Sequence, residues 1–358
     1  MMQIVYDNIV FDLQDFGGIS VVWQELLSRI ALDFDVGYVD VDAEKNANCF
    51  RKKLAITPNR VLATIRHAHM SRYLPVRLDA DVPFVFHSSY YRYCNNPQAV
   101  NVTTVHDFTY ERFSSGLRQK VHTWQKFAAI RHSAVVVCIS ENTKRDLLRL
   151  MPDVDERRVS VIYNGVSEAY CRLLEPVAAA QLPFPQGTYV VFIGRRDKYK
   201  NFDLTVRSVA ATSLNLLIVG SMLSKAEQAE VEKYLPPRRY QTMSHVSDER
   251  LNQLYNHAAA LVYPSSYEGF GLPVLEAQRA GCPVIALNAS SIPEVIGDTP
   301  LLMPQLSEQA LVERLNLLGD GELMKQVRAR GYDNCRRFSW DKMAQDYIQV
   351  YHNLMKTR

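Results

Sequence analysis

Short apolar or β-branched runs punctuate the chain at 3–6, 36–41, 84–87, 102–105, 134–139 and 159–163, then again at 189–193, 215–219, 239–243, 259–263, 283–287 and 300–303. Each has the length and composition of a buried strand. Helical patterns lie between several of them, clearest at Ile19, Val22, Trp23, Leu26, Leu27 and Ile30, where apolar residues recur at steps of three and four. Continuous apolar strands alternating with amphipathic helices predict parallel sheets covered on both faces. The strand signals fall into two similar sets. The break between them is expected from Asn164-Gly165 to Pro185, where a turn dipeptide is followed by Pro176, Pro183, Pro185 and Gly187. The predicted fold is therefore α/β, with two Rossmann-like doubly wound domains, the first over 1–168 and the second over 169–340.

Composition narrows the function classes. A chain of 358 residues with 47% hydrophobic and 22% charged residues is that of a soluble globular protein with enough apolar mass for two cores. Its net charge of +3 gives no global field for nucleic acid, and no helix-turn-helix or zinc arrangement is evident, so no nucleic-acid partner is expected. Charge is uneven locally: Lys45, Arg51, Lys52, Lys53, Arg60, Arg66, Arg72 and Arg77 occur with no acidic residue between 45 and 78. The six cysteines form no C-x-x-C pair, which points to reduced thiols in a cytoplasmic protein. The opening MMQIVYDNIVFDLQDFGG lacks a basic stretch before an apolar one, and no apolar run approaches the ~18 residues of a membrane span. Any membrane work is expected from the surface.

In open parallel sheets, ligands bind beyond the carboxyl ends of the strands, so residues following each run are where chemistry is sought. After the first strand, Gly17-Gly18 opens the amphipathic helix, where backbone N–H groups can meet a phosphate; a plain tight turn is the competing reading. Val105-His106-Asp107 puts a histidine at a strand exit, suited either to a sugar hydroxyl or to a structural bond. Gly194-Arg195-Arg196-Asp197-Lys198-Tyr199-Lys200-Asn201 follows another strand with cations that suit a departing diphosphate, or that simply face water. The strongest signal is the segment from Pro264 to Ala277. A strand runs into a loop bearing Glu268, Gly269, Phe270 and Gly271, then into a helix with Leu272 and Pro273 in its first turn and Glu276 about one turn in. Both carboxylates can gather near one helix N-terminus and accept bonds from hydroxyl pairs, while the glycine N–H groups face phosphate or sugar oxygens.

That segment resembles the E-x7-E motif, in the form EGFGLPxxEA, of the retaining GT-B glycosyltransferases of family 4. Gly17-Gly18, Cys138-Ile139-Ser140-Glu141-Asn142, Val161 to Val166, Gly194 to Asn201, Gly281-Cys282-Pro283-Val284 and Ile292-Pro293-Glu294-Val295 follow in the family's order. The resemblance implies two domains facing across a cleft that closes over a nucleotide-diphosphate sugar. It implies that Glu276 holds the donor ribose, that Glu268 with Gly269 to Leu272 positions the sugar, and that Lys200 with Arg195 or Arg196 binds the diphosphate in place of a metal. No cofactor and no metal ion are expected. Gly17 and Gly18 would complete the phosphate pocket, His106 would lie beside the sugar, and His245-Val246 would form the base-binding edge.

By the same resemblance, Trp340 and the stripe Met343, Tyr347, Val350, Tyr351, Leu354 form a C-terminal helix, 341–358, that packs back on the first domain. The acceptor would dock on that domain. The basic stretch from Arg51 to Arg77 and the cluster Tyr90-Tyr91-Arg92-Tyr93 are its candidate surface, with residues 51–77 also a candidate peripheral membrane contact on the cytoplasmic face. The implied reaction is hexosyl transfer, with mannose as one candidate sugar, to a growing lipid-linked glycan such as a surface polysaccharide or O-antigen. Two other readings compete. A catalytically silent sugar-nucleotide-binding protein, or a phosphorylase-like enzyme, keeps the sugar chemistry; a nucleotide-dependent oxidoreductase is disfavoured by the lack of G-x-G-x-x-G after the first strand.

Overall fold

A computed structural model describes residues 3–30, 34–42, 44, 46–174 and 181–356. Lys45 of the basic stretch and Pro176 of the expected linker lie outside the described residues. The chain forms two compact units, one comprising 1–165 with 339–358 and the other 166–338.

The first unit holds strands β1 (Gln3–Asp7), β2 (Asp35–Asp40), β3 (Val61–Thr64), β4 (Phe84–Ser88), β5 (Ala99–Val105), β6 (Ser133–Cys138) and β7 (Val159–Val161). All pair in parallel, in the order β3-β2-β1-β4-β5-β6-β7. The second unit holds β8 (Tyr189–Ile193), β9 (Asn215–Val219), β10 (Tyr240–Met243), β11 (Ala260–Tyr263), β12 (Val284–Leu287) and β13 (Leu302–Met303), again parallel, in the order β10-β9-β8-β11-β12-β13. Both are Rossmann-like sheets as the hydrophobic pattern predicts. Strand β3 was not among the predicted runs. Its four residues VLAT lie at the sheet edge and alternate between half-buried and exposed, so they lack the continuous apolar signature of the inner strands.

The strand interiors are sealed. Val190, Leu216, Ile218, Val262 and Ile285 are fully buried in the second unit, as are Ile4, Val85 and Val136 in the first. On the helix Gly18–Ile30, Val22, Trp23, Leu26, Leu27 and Ile30 face the core, while Ile19 is half-buried.

The C-terminal helix Trp340–Lys356 belongs to the first unit and brings polar as well as apolar contacts. Tyr351 Oη lies 2.7 Å from Nδ1 of His87 on β4, while Nε2 of His87 lies 2.9 Å from Oγ1 of Thr104 on β5, which in turn bonds Tyr347 Oη at 2.9 Å. Burial pushes the His87 imidazole down to about 3, so it is neutral, with one ring nitrogen donating and the other accepting. Arg29 donates to Asp341 at 2.6 Å from the surface side.

Gly165 ends the first pass through this unit where the returning helix begins, and a β-carbon there would collide with the backbone nitrogen of Trp340. Gly165→Ala should therefore destabilise the first unit by about 1–3 kcal/mol, the usual cost of overpacking. A denaturation midpoint equal to that of wild type would contradict this close approach.

Candidate functional site

In each sheet the order of strands reverses beside the first strand of that unit, and the loops that follow the two strands at the reversal diverge to leave a crevice. In the second unit those strands are β8 and β11. The loop after β8 is Gly194 to Asn201, and the loop after β11 is Pro264 to Gly271, so the two motifs singled out in the sequence flank one switch point.

Hydrogen bonds lock the two loops together. Ser266 N donates to Tyr199 O at 2.8 Å, and Asn201 Nδ2 donates to Pro264 O at 2.7 Å and to Ser266 Oγ at 2.8 Å. On the other side, Ser290 Oγ accepts from Glu268 N at 2.8 Å, while Ser291 Oγ, fully buried, lies 2.9 Å from both Glu268 O and Phe270 O. Gly271 then adopts φ +111°, a left-handed conformation that favours glycine, and the helix Leu272–Arg279 starts with Pro273 in its first turn.

Within this frame Lys200 Nζ donates to Glu268 Oε1 at 2.6 Å, both side chains being 13% exposed. Nζ also lies 3.4 Å from Tyr263 Oη and above the rings of Tyr199 and Tyr263. A cation and a carboxylate are thus held ready at one crevice, each neutralising the other. Burial, then the Glu268 charge, drives the Tyr263 hydroxyl far above its ordinary range, so it stays a neutral donor.

The adjacent arginines have different partners. Arg196, its side chain 6% exposed, donates from Nε to Glu227 at 2.6 Å and through its two terminal nitrogens to Ser221 O and Met222 O. Those bonds tie the loop after β8 to the loop after β9, and the same arginine holds the Glu227 carboxyl down to about 2. Arg196 is therefore a structural brace. Arg195 is 79% exposed and pairs with Asp197 at 3.1 Å.

Glu276 sits half-buried on the helix Leu272–Arg279. Loss of solvent, with the nearby Asp248 charge adding to it, lifts its carboxyl from 4.5 to about 8. Two tyrosines that the sequence reading missed share its electrostatic surroundings. Tyr170 Oη donates to Asp248 at 3.0 Å, and Tyr255 is fully buried with no hydrogen-bond partner for its hydroxyl among the described residues. His245, exposed after β10 at φ +52°, and the half-buried Val246 precede the Ser247 cap of the helix Asp248–His257. Asp248 is thus brought to Glu276 by the capped start of that helix, from 28 positions earlier in the chain; no local motif marks it.

In the first unit, His106 is buried just past β5, and burial lowers it to about 4, leaving a neutral ring. Beside it the fully buried Lys126 donates to Asp107 O and Glu111 Oε2, both at 2.8 Å. Gly17 and Gly18 lie at the start of the helix Gly18–Ile30, with Gly17 O accepting from Val21 N at 3.2 Å. Arg51 corrects the expectation for the basic stretch. It is buried and clamps Asp40 through Nε and a terminal nitrogen at 2.5–3.1 Å, because a guanidinium beside a buried carboxylate has no reason to reach solvent. Arg92 is likewise buried against Asp7, and Arg60 pairs with Asp35. D-x-D spacings occur in the sequence at Asp33–Asp35, Asp40–Asp42, Asp79–Asp81 and Asp153–Asp155, but among the described residues no three acidic, histidine or cysteine side chains converge as metal ligands would.

Two family descriptions match the chain in succession: Glycosyltransferase Family 4 over residues 16–170 and Glycosyl transferases group 1 over residues 178–334. The chain belongs to glycosyltransferase family 4. Within this family it is similar to the O-antigen chain mannosyltransferase B of Escherichia coli, at 29% identity over 273 residues covering 70% of this chain and 69% of that one. Among solved structures it is similar to a sucrose-phosphate synthase from Thermosynechococcus elongatus, with a TM-score of 0.75, 19% identity and all of both chains covered. It is also similar to Anabaena HepE, solved in complex with UDP-glucose, with a TM-score of 0.71, 14% identity, and 99% of this chain and 100% of that chain covered. These likenesses identify the fold as GT-B.

For this family 4 glycosyltransferase, the raised carboxyl of Glu276 has a sign that can be worked out. The native state holds a proton that the unfolded chain releases near 4.5, so this group's contribution to stability is complete below that pH and is lost as pH rises toward about 8. Glu276→Gln should match wild type in melting temperature near pH 5 and exceed it by several degrees near pH 9. Parallel melting curves across that range would show that the carboxyl titrates normally.

Proposed function

We propose that the protein is a retaining, metal-independent hexosyltransferase that takes its sugar from a nucleoside-diphosphate donor and adds it to a growing, lipid-linked glycan of a surface polysaccharide. The observation that carries this reading is the Lys200–Glu268 pair at the switch point of the second sheet, with Glu276 on the helix that the same loop feeds.

A departing nucleoside diphosphate gathers negative charge while the anomeric carbon becomes electron-poor. Lys200, released from Glu268 when the donor enters, neutralises the β-phosphate together with Arg195. Glu268 in turn accepts hydrogen bonds from the sugar hydroxyls, and the N–H groups of Gly269 to Leu272 face the donor as fixed dipoles that need no reorganisation. Glu276 accepts from the ribose hydroxyls, and the edge at His245-Val246 receives the base. In the first unit, His106, neutral above about pH 4, can offer a hydrogen bond without adding charge.

In the reaction, the bond between the anomeric carbon and the β-phosphate oxygen breaks, and the bond to the acceptor oxygen forms on the same face. The acceptor's proton passes to the leaving phosphate oxygen, so no enzyme nucleophile is used. Mannose is the first sugar to test, because the Escherichia coli relative named above is a mannosyltransferase; a uridine donor is the second, because HepE was solved with UDP-glucose.

Thermal-shift measurements against a panel of nucleotide sugars should give stabilisation by one donor, lost in Lys200→Ala. With that donor, turnover of the variant should fall by about 10²–10³-fold, the usual loss for one preorganised charge-stabilising group. Activity should survive EDTA, and the product should keep the donor's anomeric configuration by NMR. A panel with no stabilising donor, or a Lys200→Ala enzyme as active as wild type, would overturn the assignment.

A further inference from the structure

The helix Gly116–His132 is built inside out. Its buried residues are His122, Gln125, Lys126, Ala129 and Ile130, at steps of three, one, three and one. Two of the polar members donate inward: Lys126 Nζ to Glu111 and to Asp107 O, and Gln125 Nε2 to the carbonyl of Arg72 at 2.7 Å. On the opposite face lie Leu117, Val121, Trp124 and Ala128, at steps of four, three and four, with Leu117 78% exposed and Trp124 62% exposed. A helix meant to face water carries the reverse pattern.

A neighbouring segment adds exposed apolar groups. Because Gln125 is bonded to Arg72, the turn that follows the short helix Ala68–Ser71 packs against this helix, and it leaves Met70 and Leu74 73% and 62% exposed. The Arg72 guanidinium lies 4.5 Å from the centre of the Tyr90 ring, whose hydroxyl bonds His122 at 3.0 Å, so the two segments form one packed surface. Large apolar groups exposed in a contiguous patch mark a docking site.

Charge selects the occupant. No acidic residue occurs from 45 to 78 or from 112 to 140, and Arg118 and Lys120 flank the Leu117–Trp124 stripe, with Arg66 just before the second segment. Among the described residues, the acids that approach the helix include Asp107 and Glu111, both at the buried Lys126, and Asp153, paired with Arg131 in its last turn. Leu, Met and Trp interleaved with unneutralised cations fit the interfacial zone of an anionic bilayer, where rings and aliphatic groups enter the acyl boundary and cations meet lipid phosphates. A second copy of the same face would set cation against cation.

We infer that the helix Gly116–His132, with residues 66–74, is a docking surface for an anionic membrane. The inference is independent of the donor chemistry proposed above and moves the membrane contact away from Arg51, whose charge is consumed inside the fold.

The chain supplies its own probe, because of its three tryptophans Trp23 and Trp340 are buried and Trp124 is exposed. With vesicles of phosphatidylcholine containing phosphatidylglycerol, tryptophan emission should shift to the blue and be quenched by brominated acyl chains, while pure phosphatidylcholine should give much less. Leu117→Asp combined with Trp124→Asp should weaken co-sedimentation with the anionic vesicles by about tenfold or more. Arg118→Glu with Lys120→Glu should weaken binding and flatten its salt dependence, with the melting curve and donor hydrolysis unchanged in both variants. Failure of wild type to bind, or equal binding by the Asp double variant, would refute the proposal. So would a lipid-free, concentration-dependent dimer that the same variant abolishes, since that would assign the face to a second copy.

Discussion

The constraint from which the site follows is the way a parallel sheet grows. Each crossover must be right-handed, so a chain that adds strands first to one side of its starting strand and then to the other leaves a gap where the two directions part. Here β8 and β11 bound that gap in the second sheet. The next residues of the chain are, on one side, Gly194 to Asn201 and, on the other, Pro264 to Gly271. Topology brings residues 68 positions apart to one crevice, and the side chains of Lys200 and Glu268 then meet there at 2.6 Å.

What the side chains then add is restraint. An ion pair taken out of water is stabilising only when further bonds satisfy its remaining groups. Tyr263 and the aromatic ring of Tyr199 line the Lys200 ammonium, and the serines at 290 and 291 hold the backbone of Glu268 from behind. The opposing charges keep each other in place while no ligand is present. Arg196 performs the parallel task for the loop itself, by closing on Glu227 and two carbonyls.

Much of this was legible in the chain. Inner strands such as VVFI and VIAL are unbroken apolar runs because both their faces are covered, and Pro273 after Gly271 marks a helix start by simple sterics. Strand β3 escaped because an edge strand needs only one neighbour and half a burial. The different partners of Arg195 and Arg196 were out of reach, since adjacent residues of like chemistry were separated by Glu227, which lies 31 positions further on. Arg51 read as part of a basic docking surface for the same reason, its partner Asp40 being recognisable only once β2 is placed. Asp248, which helps raise the Glu276 carboxyl, belongs to a helix start that looks like any other.

The return of Trp340–Lys356 to the first unit has a consequence for how the protein is made. The buried imidazole of His87 finds one of its two hydroxyl partners on Tyr351, and Thr104 finds one on Tyr347, so β4 and β5 keep unsatisfied polar groups until those tyrosines arrive. During synthesis the ribosome delivers them only after all of the second unit. The unit whose strands emerge first is thus finished after its neighbour has been made, and it must wait, partly open, until the second unit has left the ribosome.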